Sequence, residues 1–461
     1  MKSLTLDTIR DCLEGATPGM LATCSPDGTP NVSYLSQIHY IDNEHVALSF
    51  QFFNKTRENV LANPQARLQV IHPASAAMYR LQVRYLRTET QGPLFESMKA
   101  KLAGIASHTG MAGVFRLLGS DVYRVQAVEL VHAGNPGASP ARRNLLAALR
   151  ACSQRLAWHC ELDPLLGELL ACLDELFAIG HAMVLMLDPA GKHLYTVATR
   201  GYDDSGVGSE VPLGAGVIGV AARECTPIRI THLTSEYAYG RAIRDRALAD
   251  GLGAMLETEI PLPGLAQPGS QLAVPIVGPG ERLAGVLFVE SPRDLDFSYD
   301  HEDALVALAA QLGPMLQAMQ CAAETGTAEA GAGEPGVPGV PEAAGGPADA
   351  VRHGEPVRVR HYRADHSVFL DDQYLIKGVA GAILWTLLSD HAASGRVAFT
   401  NRELRLDPRI RLPDVSDNLE ARLVLLQRRL AERGACVRLE RAGRGRLQLS
   451  VGRPLQLLEV G

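Results

Sequence analysis

The chain of 461 residues has no apolar run near the ~20 residues that a membrane-spanning helix requires, and acidic side chains interrupt its N-terminus where a secretory signal needs an apolar core. Its eight cysteines are scattered without a CxxC pair, which argues against a disulfide framework and a zinc site. Cys225 is a candidate redox sensor, although a buried structural thiol is the expected state. No Ser-His-Asp, HExxH or Cys-His arrangement is present. These absences predict a cytoplasmic protein without a conventional nucleophile or metal centre.

The charge is unevenly distributed. Residues 351–461 contain 19 Lys and Arg against 13 Asp and Glu, whereas the chain as a whole carries a net charge of −7. The C-terminal part is therefore at +6 and the remainder at −13. A basic end on an acidic body predicts a local anionic partner, with nucleic acid as the first candidate.

Two segments divide the chain. Residues 322–350 consist largely of Gly, Ala, Pro and Glu and contain no aromatic side chain, so we expect a flexible linker there. A second cluster of Gly, Pro and Ser spans residues 132–144. The predicted domains are therefore 1–135, 141–321 and 351–461, each of ordinary domain size.

In the first domain, short strands surround the turn "SPDG" at residues 25–28 and a weaker turn at 41–45. The following stretch "QFFNKTRENVLANP" (51–64) predicts a helix at 57–62 with Thr56 as its N-cap. Free N–H groups, the charge of Lys55 and the polar side chains of Asn54 and Thr56 would suit a phosphate. An ordinary capped helix beside an exposed lysine is the alternative.

This order of strands and turns resembles the pyridoxamine-5′-phosphate-oxidase-like family of FMN-binding split barrels over residues 13–131. The resemblance implies a homodimer with FMN between the subunits. The turn has one charged residue where the oxidase commonly has two, and the oxidase's C-terminal substrate motif is absent, which argues against vitamin oxidation. The residues implied to contact FMN are Asn54, Lys55 and Thr56 at the phosphate, and Ser33, Ser36, Ser49 and Gln51 at the flavin ring and ribityl chain.

The second domain begins with helical periodicity and continues with strand pairs, the stretch "PLGAGVIGVAAREC" (212–225) and a closing helix. This succession resembles a GAF domain over residues 142–320. Such domains bind small ligands or serve in dimerisation. The patterns of cyclic-nucleotide and bilin binders are missing, and His181 is expected to be a packing residue rather than a haem ligand. The ligand of this domain is not predicted.

The third domain contains a predicted helix near residues 380–389 and a capping box at Thr400 and Glu403. A strongly amphipathic helix spans 415–434 and ends at Gly434, and a hairpin with a Gly-bearing tip follows. Leu419, Leu423, Leu426 and Leu430 line one face of this helix.

Three helices followed by a basic hairpin resemble the winged-helix domain of OmpR-type response regulators over residues 366–451. The resemblance implies that the third helix enters the major groove of DNA and that the wing contacts the backbone. A solvated basic face, or a protein-binding winged helix, is the alternative. The implied DNA contacts are Arg422, Arg428 and Arg429 on the helix, and Arg441, Arg444 and Arg446 on the wing.

The predicted fold class is multidomain α+β, with an N-terminal split β-barrel, a central GAF α/β sandwich and a C-terminal winged helix. No receiver domain is present, so ligand occupancy would replace phosphorylation as the input. The sequence thus predicts a cytoplasmic ligand- or redox-sensing transcription regulator that binds FMN and DNA. The main alternative is an FMN-dependent oxidoreductase with regulatory domains, in which the flavin performs hydride transfer. A protein-interaction scaffold without ligands is a third possibility.

Overall fold

The computed structural model shows three units in the order that the sequence predicts: a curled β-sheet, an α/β unit and a smaller mixed unit. None of the helices in its described part is long and apolar enough to cross a membrane. The structure describes residues 4–13, 17, 19–35, 37–50, 55–73, 75–92, 94–99, 102, 117–134, 143–188, 190–230, 260–329, 356–371, 373–410, 412, 419–434, 436–443 and 445–460.

The N-terminal unit is built on a seven-stranded sheet with the order β2-β1-β5-β6-β7-β4-β3, in which neighbouring strands are antiparallel. A 3-10 helix, Asp7–Leu13, precedes it. One helix, α1, packs against β1 and β2. The elements are β1 (Gly19–Cys24), β2 (Pro30–Leu35), β3 (Ile38–Tyr40), β4 (His45–Phe50), α1 (Lys55–Ala62), β5 (Gln65–Ile71), β6 (Met78–Glu89) and β7 (Gly119–His132).

Local sequence signals account for both predicted hairpins in this unit. Gly28 adopts a φ of 90° and donates its N–H to the Ser25 carbonyl at 2.9 Å, which closes the turn between β1 and β2. The Ile41 N–H donates to the His45 carbonyl at 3.2 Å, which closes the turn between β3 and β4. Burial alternates along β1, so that Leu21 faces the core while its neighbours are half-buried. The turns predicted at 25–28 and 41–45 are confirmed.

The central unit is a six-stranded sheet with the order β10-β9-β8-β13-β12-β11 and with helices on both faces. Leu287 and Val289 of β13 belong to the core on the side of α2, α3 and α5, whereas Val286 and Phe288 belong to the core beneath α4. The elements are α2 (Leu145–Leu156), α3 (Leu162–Phe177), β8 (His181–Leu187), β9 (His193–Arg200), β10 (Glu210–Pro212), α4 (Gly216–Glu224), β11 (Ile228–Ile230), β12 (Ser270–Gly278), β13 (Arg282–Ser291) and α5 (Tyr299–Glu329).

Three sequence expectations in this unit have direct outcomes. Helix α5 runs to Glu329 and so enters the segment predicted to be a linker; the rest of that segment, 330–350, lies outside the described residues. His181 packs against the ring of Tyr202 with 5.6 Å between centroids. Cys225 ends α4 in a left-handed conformation and is exposed, so the expected burial of this thiol is wrong. The cysteines described by the structure are free thiols.

The C-terminal unit combines a four-stranded sheet, β16-β15-β14-β20, with a three-stranded sheet, β17-β19-β18. The capping box is present, because Thr400 accepts from the Glu403 N–H and Glu403 accepts from the Thr400 N–H. The last strand, β20, pairs in parallel with β14 and was not predicted. The elements are β14 (Val357–Tyr362), β15 (Ser367–Leu370), β16 (Gln373–Ile376), α6 (Gly378–Ser394), β17 (Ala398–Thr400), α7 (Asn401–Leu406), α8 (Leu419–Glu432), β18 (Val437–Arg441), β19 (Arg446–Val451) and β20 (Leu455–Val460).

The central unit contacts each of the other two units. Tyr299 of the central unit donates to the Leu13 carbonyl at 3.1 Å, and the guanidinium of Arg10 lies 4.4 Å from the centroid of the Tyr299 ring. Arg10 also forms an ion pair with Asp303 at 3.0 Å. On the other side, one hydrophobic core is continuous between the central and C-terminal units. In this structure the units are therefore joined by packing as well as by chain connectivity.

Candidate functional site

The first candidate site lies at the start of α1. Helix α1 begins at Lys55, whose side chain is 56% exposed and lies 3.7 Å from the Glu58 carboxylate. The first N–H groups of a helix lack partners within the helix, and its N-terminus carries a partial positive charge. Lys55 therefore adds an exposed cation to an end of the helix that already favours anions.

Hydroxyl groups converge just behind Lys55. The Thr56 hydroxyl donates to the Ser33 hydroxyl at 2.9 Å and accepts from the Asn31 amide at 2.8 Å. Because β2 carries both Asn31 and Ser33, this chain of hydrogen bonds ties α1 to the edge of the sheet. A hydroxyl that accepts one hydrogen bond still has its own proton to give, so Ser33 is the donor that this chain can offer to a ligand.

The structure corrects one expectation about this turn. Thr56 was predicted to be the N-cap, but the helix begins at Lys55 and Thr56 lies inside the first turn, where only 8% of the residue is exposed. Ser49 lies on β4 opposite Ser120 of β7, and its N–H donates to the Gln37 carbonyl at 3.2 Å. The structure thus joins Ser33 to Thr56 beside Lys55. Three further predicted contacts lie outside the described residues: Ser36, Gln51 and Asn54.

A second basic residue of α1 was missed in the sequence. The Arg57 guanidinium forms an ion pair with Asp121 at 2.6 Å, donates to the Thr88 hydroxyl at 3.1 Å and lies over the ring of Phe50, 4.0 Å from its centroid. Thr88 also donates to Asp121 and lies 2.7 Å from the Tyr85 hydroxyl. Arg57 thus fastens α1 to β6 and β7, far along the sheet from β2, because the sheet is curled. In the sequence, the only sign of this role was that Arg57 directly follows Thr56.

The donors at the start of α1 fit a phosphate group. A phosphomonoester needs cationic and N–H or O–H donors around its oxygens. Lys55, the Ser33 hydroxyl that Thr56 positions, and the helix N-terminus supply these donors. Arg57 is committed to the Asp121 carboxylate, which leaves Lys55 as the cation of α1 that can turn to a ligand without breaking a buried ion pair.

The second candidate site, the predicted nucleic-acid interface, is arranged differently from the expectation. Arg422 is 8% exposed, and its guanidinium lies 3.8 Å from the centroid of the Tyr195 ring in the central unit. Arg429 is 5% exposed and donates to the Leu375 carbonyl at 3.1 Å. Burial lowers the pKa of Arg429, while the Glu432 carboxylate raises it. The alternative of a solvated basic face therefore does not apply to Arg422 and Arg429, because both are buried.

The remaining predicted arginines fall into three groups. Arg428 forms an ion pair with Asp163 at 2.7 Å and donates to the Val197 carbonyl at 2.9 Å. Arg441 pairs with Glu420 and lies 3.5 Å from Glu161. Arg446 is exposed on β19, and Arg444 lies outside the described residues. These positions differ from the expected ones because α8 packs on two faces, whereas the sequence predicted a single apolar stripe.

Comparisons with known proteins identify the first two units. The family model of pyridoxamine 5′-phosphate oxidase matches residues 5–126, and the GAF domain model matches residues 162–317. Each match covers less than half of the chain. No curated protein matches it. The predicted split barrel and GAF domain are thus confirmed as units of this chain.

Solved structures resemble single units of the chain. A GAF domain from Acinetobacter phosphoenolpyruvate-protein phosphotransferase is 21% identical over 39% of this chain and 96% of its own, with a TM-score of 0.30. An FMN-binding protein from Syntrophomonas wolfei is 18% identical over 30% of this chain and 93% of its own, with a TM-score of 0.23. Free methionine-R-sulfoxide reductase from Neisseria meningitidis is 18% identical over 40% of this chain and 96% of its own, with a TM-score of 0.30.

Proposed function

We propose that the chain is a ligand- or redox-sensing transcription regulator that binds FMN in its split barrel, a small ligand in its GAF unit and DNA through its C-terminal unit. The observation that supports DNA binding most is the order of α6, α7 and α8 followed by the hairpin of β18 and β19, in a part of the chain that carries an excess of six positive charges. A winged helix would have this order of elements. Arg438 and Arg446 are exposed on the hairpin and would contact phosphates.

FMN binding is supported by the cluster at the start of α1. Lys55 would pair with the phosphate dianion, and the Ser33 hydroxyl, which Thr56 positions, would donate a hydrogen bond to it. Bound FMN would supply one- and two-electron redox chemistry, while these side chains would hold its phosphate. The flavin would then report cellular redox state to the rest of the chain.

A homodimer is part of the same proposal, because the split-barrel family places its flavin between subunits. Edge strand β2 supports it: Val32 and Tyr34 are 62% and 77% exposed and point away from the core. Large apolar side chains on a sheet edge favour association. Sedimentation equilibrium should give a dimer for the wild type and a monomer for the charged variant Tyr34→Lys.

DNA binding is tested directly with purified protein and labelled duplexes from its own promoter region. Affinity should fall steeply as salt rises, because each arginine–phosphate contact releases counterions. An unrelated duplex of equal length measures the non-specific component. If neither duplex is bound at low salt, the proposed regulator is ruled out.

A flavin-dependent oxidoreductase is the competing function, and the match of residues 5–126 to an oxidase family favours it. Steady oxidation of a reduced nicotinamide by flavin-loaded protein, in excess over the protein itself, would support the enzyme. Stoichiometric flavin reduction without turnover would support the regulator.

A further inference from the structure

The face of α8 that was expected to bind DNA is covered by the central unit. Arg422 stacks on Tyr195, and Arg428 pairs with Asp163. The side chain of Leu425 packs against Gly208: a Cβ placed on this glycine would lie 3.5 Å from Cδ1 of Leu425. At one edge, Arg441 of the hairpin reaches Glu161. We call this set of residues on α8 and the hairpin (Arg422, Leu425, Arg428 and Arg441) the α8 face.

The partners of the α8 face are chemically similar to a nucleic-acid backbone. Glu161 precedes α3 and Asp163 lies in its first turn, where the helix dipole stabilises negative charge. Arg428 directs both its Nε and its Nη2 at one Asp163 oxygen, at 2.8 and 2.7 Å. A guanidinium that binds a carboxylate in this way also binds phosphate. The two carboxylates therefore occupy positions that phosphates would take.

The central unit and duplex DNA cannot occupy the α8 face at the same time. Arg422 is 8% exposed, and the side chain of Arg428 is 23% exposed with a further hydrogen bond to the Val197 carbonyl. A DNA duplex cannot approach these guanidinium groups while α3 and β9 cover them. Contact with DNA through the α8 face thus requires the C-terminal unit to separate from the central unit.

We propose that the α8 face is a shared binding surface, which the central unit covers in this structure and which duplex DNA takes over when the two units separate. This inference rests on the DNA-binding function proposed above. The central unit then acts as an intramolecular competitor of DNA, and any ligand that binds only the separated arrangement raises the affinity for DNA. The contact combines the hydrophobic core shared by the two units with ion pairs to partly exposed carboxylates, and a change of charge on α3 acts on the ion pairs.

The matched variants are Asp163→Arg and Asp174→Arg, both on α3. Asp163 pairs with Arg428 across the units, whereas Asp174 pairs with Arg200 within the central unit at 2.8 Å. Asp163→Arg places two guanidinium groups against each other, so hydrogen–deuterium exchange of the α8 peptide should accelerate. Affinity for a promoter duplex should rise roughly tenfold, within the usual range of coupling between two sites. Asp174→Arg should change neither quantity.

The double variant Asp163→Arg/Arg428→Asp restores an ion pair with the charges exchanged, and the exchange of α8 should return to the wild-type rate. This rescue separates opening of the contact from misfolding. If wild-type protein binds DNA and Asp163→Arg changes neither this affinity nor the exchange of α8, the proposal of a shared surface is wrong. The proposed DNA binding would then stand. If α8 exchanges faster but no variant binds DNA, the DNA function fails and the shared surface fails with it.

Discussion

The guanidinium of Arg422 lies over the ring of Tyr195, 3.8 Å from its centroid, and joins a helix of the C-terminal unit to a strand of the central unit. Arg422 was predicted to face DNA, and Tyr195 is a core residue of the GAF sheet. The contact therefore connects the unit proposed to sense with the unit proposed to act. A change in the packing of β9 would move the ring on which Arg422 stacks.

A double-mutant cycle measures this pair. Arg422→Met and Tyr195→Leu each keep a side chain of substantial volume and remove one half of the cation–π contact. We expect a coupling free energy of about 1 kcal/mol, as for partly desolvated cation–π pairs. Urea unfolding of the four proteins of the cycle measures it. Arg433→Met is the control, because Arg433 is exposed beyond the end of α8; a coupling within error of zero would show that the stacking carries no energy.

Lys55→Ala should weaken FMN binding by roughly tenfold to a hundredfold, because a charge-assisted hydrogen bond contributes about 1.5–3 kcal/mol. Thr56→Val keeps the shape of the side chain and breaks the hydroxyl chain to Ser33, so a smaller loss is expected. Flavin fluorescence quenching during titration of apoprotein gives both affinities.

Lys192→Ala is the matched control for the flavin titration, since Lys192 is an exposed lysine in a turn of the central unit. It should bind FMN as the wild type does. Equal affinities of Lys55→Ala and Lys192→Ala would remove Lys55 from the phosphate site.

Asp121→Asn should lower the free energy of unfolding by roughly 3 kcal/mol, because it leaves the Arg57 guanidinium without its partner in a place where the two side chains are 17% and 9% exposed. Glu129→Gln removes the exposed partner of Arg80, 3.9 Å away, and should cost about 0–1 kcal/mol. Scanning calorimetry compares the two variants. A similar small loss in both would mean that the Arg57 network does not hold α1 on the sheet.

Features set by neighbouring residues were predictable from the sequence. Thr400 and Glu403 form the capping box that their spacing predicted, because both partners lie within one helical turn. Gly28 closes the first hairpin for a similar reason. The family matches over residues 5–126 and 162–317 agree with the split barrel and the GAF domain that the sequence predicted.

Features set by distant residues were not predictable. The leucine stripe of α8 is buried as expected, but Arg422 and Arg429 are buried as well. Their partners, the Tyr195 ring and the Leu375 carbonyl, come from other parts of the chain. A helical periodicity describes one packed face and is blind to a second face whose partner is a neighbouring unit. The partner of the Thr56 hydroxyl, Ser33, likewise comes from another part of the chain.

The last prediction concerns His361, which is 2% exposed on β14. Its Nε2 lies 3.1 Å from Nδ1 of His366, and its ring stacks on Trp385 with 4.7 Å between centroids. Burial lowers the pKa of His361 below its ordinary 6.5, the charge of His366 lowers it further, and Glu459 raises it. The folded C-terminal unit thus holds this imidazole neutral at a pH where the unfolded chain would protonate it.

Because the folded pKa of His361 is depressed, the unfolded chain binds more protons as the pH falls through 6.5. The stabilisation is therefore fully present above pH 6.5 and is lost as the pH falls towards the folded pKa. His361→Phe keeps an aromatic ring against Trp385 and removes the titration, so its urea midpoint should fall less steeply below pH 6.5 than that of the wild type. Burial also lowers the pKa of His301, which leaves a residual slope in the variant. His132→Gln, at an exposed position of β7, should reproduce the wild-type profile; identical slopes for His361→Phe and wild type would assign the acid sensitivity to other groups.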